Sequence, residues 1–382
     1  MRRIKIYGAG SIGNHLANAS RRMGWEVTVC DVSTAALERM RTQIYPSRYG
    51  RWDDSIRLFL NQDAPTGGFD HIFIGTPPEA HLPLALRALD ENPRTVIVEK
   101  PVCPPALEHA QELWERSRDI NTRLYVGYDH VVGKATQQAE ERITSGEFGE
   151  IQTLDVEFRE HWGGIFAAHP WLSGPADSYL GFWERGGGAS GEHSHALNLW
   201  QHFAHVIGAG RVVEVDARLR YVADGPAWYD DLCLANLSTE RGLVGRVVQD
   251  VVTKPHRKRA RIQGTEGAIE WICNYNVDGD AIRLLRPGAA DEVIPLPKKR
   301  ADDFIRELEH IEADLRQPAS GSGIRLERGL DTMLAVAACH RSEQQGRRVR
   351  LDYDQGYTLE CLVLADEDSE RECPILRTVR EG

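Results

Sequence analysis

The chain has 382 residues and a formal net charge of −11, with 41% hydrophobic and 27% charged residues. That length carries two domains of ordinary size, each able to bury its own core. The acidic balance excludes broad nucleic-acid binding, which needs a basic face toward phosphate, and no apolar run approaches the roughly 20 residues that cross a bilayer.

At the N-terminus Arg2 and Arg3 precede an apolar residue, as in a secretory leader, but Lys5 and the following glycines break the run at once. It therefore reads as a strand, Ile4 to Tyr7. Gly8-Ala9-Gly10-Ser11-Ile12-Gly13 follows directly, then Leu16, Ala17, Ser20 and Met23 recur at helical spacing, and Gly24 closes the helix. Trp25 to Cys30 is a second strand, ending in Asp31, 18 residues beyond the third glycine. A Gly-x-Gly-x-x-Gly between strand and helix has a physical logic. Gly8 permits the turn, Gly10 lets backbone approach a pyrophosphate, and Gly13 lets helix and strand pack closely. Ser11 and Ile12 complete the loop, whose free N–H groups and helix dipole favour phosphate. Asp31 accepts hydrogen bonds from ribose hydroxyls and repels a 2′-phosphate, which favours NAD over NADP.

Strands and helices then alternate. Asp70 to Ile74 runs into Gly75-Thr76-Pro77-Pro78, with a helix from about Glu79 to Asp90; Thr95 to Val98 runs into Glu99-Lys100-Pro101; a helix near Ala106 to Asp119 leads to the strand Arg123 to Gly127. Alternation predicts a parallel sheet of the doubly wound Rossmann type, with its ligand across the carboxyl ends of the strands. Thr76, Pro77, His81, Glu99 and Lys100 fall at such ends.

Beyond a linking helix, Lys134 to Ser145, come strand-like stretches at Gln152–Glu157, Arg211–Tyr221, Leu232–Ser238, Leu243–Val252, Arg259–Gln263 and Ala268–Ile272. Their alternation suits half-buried antiparallel strands. The basic run Lys254 to Arg261 (KPHRKRAR) reads as an exposed strand edge. Helices are predicted at about Asp302–Arg316 and Leu326–Gln345, with a polar loop from Pro318 to Gly323 between them; the charged segment 352–382 matches no pattern. The seven cysteines are scattered without a Cys-x-x-Cys, the pattern of reduced thiols in a cytoplasm and of neither a disulfide framework nor a thiolate zinc site.

Four segments together resemble the glucose–fructose oxidoreductase and inositol dehydrogenase family, Gfo/Idh/MocA. They are Gly8 to Gly13 with Asp31; Thr76-Pro77-Pro78-Glu79-Ala80-His81; Glu99-Lys100-Pro101; and Gly186-Gly187-Gly188 before a histidine-bearing helix. Gly264 to Ile269 and Arg341 to Arg347 add to the match. The resemblance implies an NAD-binding domain over 1–127 and an α+β domain over 128–382. The latter would carry an open, mostly antiparallel sheet that binds substrate and builds a homo-oligomer, dimer or tetramer. It also implies hydride transfer to or from a hydroxyl-bearing carbon of a sugar, nucleotide sugar, aminosugar or cyclitol.

Such chemistry needs a proton acceptor and a cation that stabilises a developing alkoxide. The resemblance assigns these roles to Lys100 and His195. The family's aspartate four residues before the histidine is replaced by Gly191, so either Glu192, three before, orients His195, or His193 substitutes for one of them. No metal-ligand spacing is present: His195, His202 and Glu192 lack the His-Glu-x-x-His pattern. Trp162, His169, Trp183 and His193 lie in an aromatic, Gly- and Pro-rich stretch suited to sugar faces. Tyr128-Asp129-His130 stands where the family often has Asn-x-Arg, which marks Tyr128 and Asp129 as substrate-side candidates. Two other outcomes fit the same motifs: a redox-neutral glycosidase or epimerase that retains NAD, and a non-catalytic dinucleotide-binding regulator.

Overall fold

The computed structural model describes residues 1–167, 169–317 and 321–365. Residues 318–320 of the polar loop and 366–382 of the charged tail lie outside the described residues.

The first unit begins with β1 (Arg3–Tyr7), α1 (Ser11–Arg22) and β2 (Glu26–Asp31). Ile4 and Ile6, with Val27 and Val29, are fully buried, as expected of parallel strands covered on both faces. Lys5 is equally buried, and its Nζ donates to both carboxylate oxygens of Glu91 at 2.6 and 2.7 Å. A stretch the sequence left unread then forms α2 (Thr34–Arg39), one π-helical turn (Met40–Ile44), α3 (Tyr45–Tyr49) and the edge strand β3 (Arg57–Leu60). There follow β4 (His71–Ile74), α4 (His81–Leu89), β5 (Thr95–Val98), α5 (Ala110–Arg118) and β6 (Arg123–Val126). α5 starts later than its sequence pattern suggests because Leu107 and His109 adopt φ of +58° and +62°, outside the helical region. The six strands are parallel, in the order β3-β2-β1-β4-β5-β6. Chain order reverses between β1 and β4, so a crevice opens there above the strand ends.

The second unit contains α6 (Lys134–Thr144), β7 (Ile151–Arg159), α7 (Trp162–Ala167), α8 (Gly188–Glu192) and α9 (Ser194–Val206). Next come β8 (Val212–Asp224), β9 (Ala227–Thr239), β10 (Val244–Asp250), β11 (Arg257–Gly264), β12 (Gly267–Asn276), β13 (Gly279–Leu285) and β14 (Glu292–Pro297). The described chain finishes with α10 (Arg300–Arg316), α11 (Leu326–Gln345), β15 (Val349–Leu351) and β16 (Leu362–Leu364), the last inside the segment that matched no pattern. The ten strands form one open sheet, β14-β13-β12-β11-β7-β10-β9-β8-β15-β16, antiparallel except where β10 pairs with β7. β9 shows why: Cys233, Ala235 and Leu237 point into the core while Leu234 and Asn236 point out.

One sequence expectation fails here. The basic run is not a sheet edge, because β11 is hydrogen-bonded on both sides, to β7 and to β12. Arg257 and Arg261 are exposed, but Lys258 falls in the inward register with buried Ala260 and Ile262. The two units close on each other through α10, which packs along α1 and brings Glu312 to the Arg2 guanidinium at 3.1 Å and the His71 ring at 3.0 Å. α10 thereby sets its own N-terminus, Arg300, at the mouth of the crevice.

Candidate active site

The glycine loop divides its labour by position. A Cβ on Gly8 would stand 2.5 Å from the Gly75 carbonyl oxygen, and one on Gly13 would stand 1.9 Å from that of Gly8, so both are needed for the chain to pack. Gly8 also sits at φ +103°. Gly10 is different: nothing lies within 4 Å of its missing Cβ. The approach to the N-terminus of α1 is therefore clear for a phosphate. Asp31 Oδ2 accepts from Ala9 N, and its Oδ1 from Ser33 N, each at 2.8 Å. Each oxygen keeps a further lone pair for a ribose hydroxyl. Thr76 Oγ1 is buried without a hydrogen-bond partner among the described residues, at the end of β4 beside the loop. These features fit a dinucleotide. His81, expected beside the cofactor, is buried and does not line the cavity that Lys100 enters; its ring lies between the carbonyl oxygens of Thr76 at 2.7 Å and Pro101 at 2.9 Å. It braces the two strand-end loops against each other.

Lys100 follows β5 and enters the same cavity, about 560 Å³, that Gly10, Ser11, Ile12, Thr76, Pro77 and Glu99 line. Its Nζ donates to the Glu192 carbonyl oxygen at 2.9 Å and to Glu192 Oε2 at 3.0 Å. Glu192 is thus the partner of Lys100 and not of His195. The sequence argument placed Glu192 and His195 on one helical face, but the helix breaks at His193, so they belong to α8 and α9. At the break the Glu192 carbonyl, which a continuous helix would offer to Ala196 N, accepts from Lys100 Nζ instead, and Ala196 N bonds the His193 carbonyl oxygen at 2.8 Å. The nearest carboxylate to His195 is Asp129, with Oδ1 3.9 Å from Nδ1. At that distance the two do not hydrogen-bond, and neither buried atom has a hydrogen-bond partner among the described residues.

Burial tends to raise the Asp129 carboxyl, but the Arg300 guanidinium, whose Nη1 donates to Oδ2 at 2.6 Å, holds it well below the usual carboxylate range. Burial, reinforced by His130, keeps the His195 imidazole well below its ordinary value and therefore neutral. Glu99 moves the other way. It is buried, with Asp129 nearby, and its carboxyl is raised to about 7. A Cβ on Gly127 would stand 2.8 Å from that carboxyl, so the backbone just past the end of β6 presses on it directly. The folded state holds this proton where the unfolded chain, with an ordinary value of 4.5, has lost it. Stability from Glu99 is thus complete below about pH 4.5 and declines as pH rises to about 7. Glu99→Gln should therefore narrow the difference in Tm between pH 5 and pH 8; an unchanged difference in thermal melts would show that Glu99 titrates normally.

The remaining substrate candidates separate. His169 and His193 line the cavity, and Asp129 lies beneath His195. Tyr128 is fully buried, its hydroxyl 3.4 Å from Ser194 Oγ; Trp162 packs with Phe166 and Tyr229 in a small satellite core; Trp183 stacks on His340. None of these three aromatics reaches the cavity, because each was absorbed into packing. Sequence reasoning missed other lining groups: His15, Arg48, His130, Glu160, Lys258, Lys298, Arg300 and Asp303. Lys258 pairs with Glu160 at 2.7 Å, and Lys298 with Asp280 at 2.8 Å and Asp303 at 2.9 Å. Asp129, His130 and His195 bring ligand-type atoms within 4.8 Å of one another, a grouping the sequence did not suggest, although Arg300 already bonds Asp129.

A doubly wound phosphate-loop domain and an open-sheet domain, sharing one cleft lined by a lysine and a histidine, define a two-domain dinucleotide-binding protein. Residues 2–128 match the oxidoreductase family with NAD-binding Rossmann fold, and residues 136–270 match the GFO/IDH/MocA C-terminal domain. The chain belongs to the GFO/IDH/MocA oxidoreductase family. It is 27% identical over 155 residues to D-glucoside 3-dehydrogenase of Escherichia coli (strain K12), a match spanning 39% of this chain and 41% of that enzyme. Its fold is similar to that of levoglucosan dehydrogenase with NADH and levoglucosan (TM-score 0.73, 18% identity, covering 91% of this chain and 99% of that one). It is also similar to an Agrobacterium radiobacter oxidoreductase with NAD+, L-tartaric acid and magnesium (TM-score 0.72, 20% identity, 91% and 98%). The WlbA dehydrogenase of Bordetella pertussis with NADH and UDP-GlcNAcA is a further likeness (TM-score 0.68, 19% identity, 92% and 99%). Among the described residues no helix is long and apolar enough to cross a membrane.

Proposed function

We propose that the chain is an NAD-dependent dehydrogenase that oxidises a secondary hydroxyl of a sugar, nucleotide sugar, aminosugar or cyclitol, or reduces the matching ketone. The observation that carries this reading is the entry of Lys100 Nζ and His195 into the one cavity that also opens onto Gly10. NAD bound at that loop supplies the hydride acceptor. With His195 Nδ1 turned to Asp129, the nitrogen left for a substrate hydroxyl is Nε2. A neutral imidazole there takes the hydroxyl proton, and the Asp129 carboxylate stabilises the imidazolium as it forms. Lys100, held by the Glu192 carboxylate and carbonyl, donates to the substrate oxygen and stabilises the negative charge that develops on it. Asp31 selects the cofactor.

The test is a panel of glucosides, levoglucosan, cyclitols, aminosugars and nucleotide sugars, followed by NADH absorbance. Steady NADH formation with one class supports the reading. Bound NAD that exchanges hydride with no net NADH would point to a redox-neutral reaction, and absence of any hydride exchange would sink the dehydrogenase assignment. Asp31→Asn, which keeps one acceptor for the loop, should shrink the preference for NAD over NADP by about tenfold in Kd, the weight of one charge-assisted hydrogen bond. Calorimetric titration with both dinucleotides decides it, and an unaltered ratio would remove Asp31 from cofactor selection.

A further inference from the structure

Three further polar side chains line the cavity that holds Lys100 and His195: Glu160, His193 and Lys258. The open sheet gathers them around one ring. Lys258 on β11 pairs in register with Phe158 on β7, and Glu160 lies two residues beyond Phe158, just past the end of that strand. Lys258 Nζ stands 5.8 Å from the centre of the Phe158 ring, the His193 ring 6.5 Å and the His195 ring 6.3 Å. Phe158 is fully buried, so it fixes all three against one floor, beside the imidazole read above as the proton acceptor.

These groups have hydrogen-bonding capacity to spare. His193 is only 3% exposed, and its Nε2 has no hydrogen-bond partner among the described residues. Burial, then the Lys258 and Lys100 charges, holds the ring well below its ordinary value and therefore neutral, while its other nitrogen bonds the Asp250 main chain. A neutral ring that donates from Nδ1 to a carbonyl carries a lone pair on Nε2. A buried acceptor without a donor is costly, and a ligand hydroxyl removes that cost. Lys258 Nζ pairs with Glu160 Oε2 at 2.7 Å, which engages one of three ammonium protons and leaves the others for a ligand. The pair is electrically balanced. It therefore suits a neutral hydroxyl, which both donates and accepts, better than an anion.

We propose that His193 and Lys258 bind a second hydroxyl of the substrate, on the carbon next to the one that reacts. That hydroxyl donates a hydrogen bond to His193 Nε2 and accepts one from Lys258 Nζ, while Glu160 positions the ammonium. Both imidazoles, His193 and His195, pack on the one Phe158 ring, so the hydroxyls they bind belong to neighbouring carbons. The inference rests on the reading that a hydroxyl reacts between Lys100 and His195, and it narrows the substrate to a vicinal diol. A deoxy carbon at the second position leaves Nε2 unpartnered. An ammonium there offers Lys258 no lone pair, so aminosugars with a free amine at that carbon are excluded.

The test uses the full-length, NAD-loaded protein and four parent probes, methyl β-D-glucopyranoside, levoglucosan, myo-inositol and UDP-glucose, each beside its monodeoxy analogues. Where NADH forms, the ketone product identifies the oxidised carbon. Deoxygenation at one of the two flanking carbons should lower kcat/KM at least about hundredfold, because a site built around a hydroxyl rejects its absence. In His193→Phe and in Lys258→Met, assayed separately, that loss should shrink to under about tenfold, since the group that missed the hydroxyl is gone. A merely structural role would slow parent and analogue alike and leave their ratio unchanged. An unchanged ratio in both variants overturns the proposal. Equal turnover of a parent and both its flanking deoxy analogues by the unaltered protein also overturns it, with the dehydrogenase reading intact. Calorimetric titration of the same series reads the subsite without turnover. A deoxy penalty in Kd that both variants relieve, with no hydride exchange, would leave the subsite standing and refute the dehydrogenase reading. Failure of all four parents to bind overturns the proposal.

Discussion

Lys100→Met should lower kcat by roughly 10²- to 10³-fold, the usual weight of a single group that stabilises developing oxyanion charge, with the NAD Kd little changed. The reasoning is geometric. Lys100 Nζ is held by Glu192 from one side only, through the carbonyl and carboxylate oxygens, at a point where the cavity opens. Methionine keeps the length and apolar stem but offers no donor, so a substrate alkoxide loses its partner while the phosphate loop is untouched. Glu192→Gln should act on the same step more weakly, because the carbonyl bond to Nζ survives. Stopped-flow hydride transfer and calorimetric NAD binding check both variants. A Lys100→Met protein with normal turnover would remove this lysine from the chemistry.

The second large effect is expected at His195 and Asp129. His195→Asn should cost roughly 10²- to 10⁴-fold in kcat, the range for a positioned acid–base group. Asp129→Asn should also depress kcat, because the imidazolium loses its stabilising charge. The double variant should be no slower than His195→Asn alone, since groups that act as a unit are strongly non-additive. A cost equal to the product of the two single losses would mean Asp129 acts elsewhere. Asp129→Asn also leaves Arg300 with less compensation, so its melting temperature should be read beside its rate.

Much of the first unit was legible because its logic is local. Gly8, Gly10 and Gly13 follow one strand and open one helix, and Asp31 closes the next strand; each inference needed only neighbours in sequence. The helix α3 and edge strand β3 were invisible because Arg57 to Leu60 is short and does not alternate. The open sheet was legible where strands alternate, as in β9. The cavity's charges were not, since Lys100 meets Glu192 across 92 positions and Asp129 meets Arg300 across 171. No periodicity encodes such meetings. The Glu192–His195 expectation assumed a continuous helix, and Lys100, from the other unit, takes the Glu192 carbonyl that continuity would offer to Ala196. Lys258 was within reach of sequence reasoning: it shares the two-residue register of Ala260 and Ile262, and the surrounding arginines masked it. Trp162 and Trp183 show the converse. Aromatic composition marks a site and a satellite core alike, and only contacts separate them.

The most direct measurement is a crystal structure of this chain with NAD. The account predicts the pyrophosphate against Gly10 at the start of α1, ribose hydroxyls on Asp31, and the nicotinamide ring reaching the cavity so that its C4 faces the space between Lys100 Nζ and His195 Nε2. A nicotinamide directed away from those two side chains, or a dinucleotide bound clear of Gly10, would contradict it.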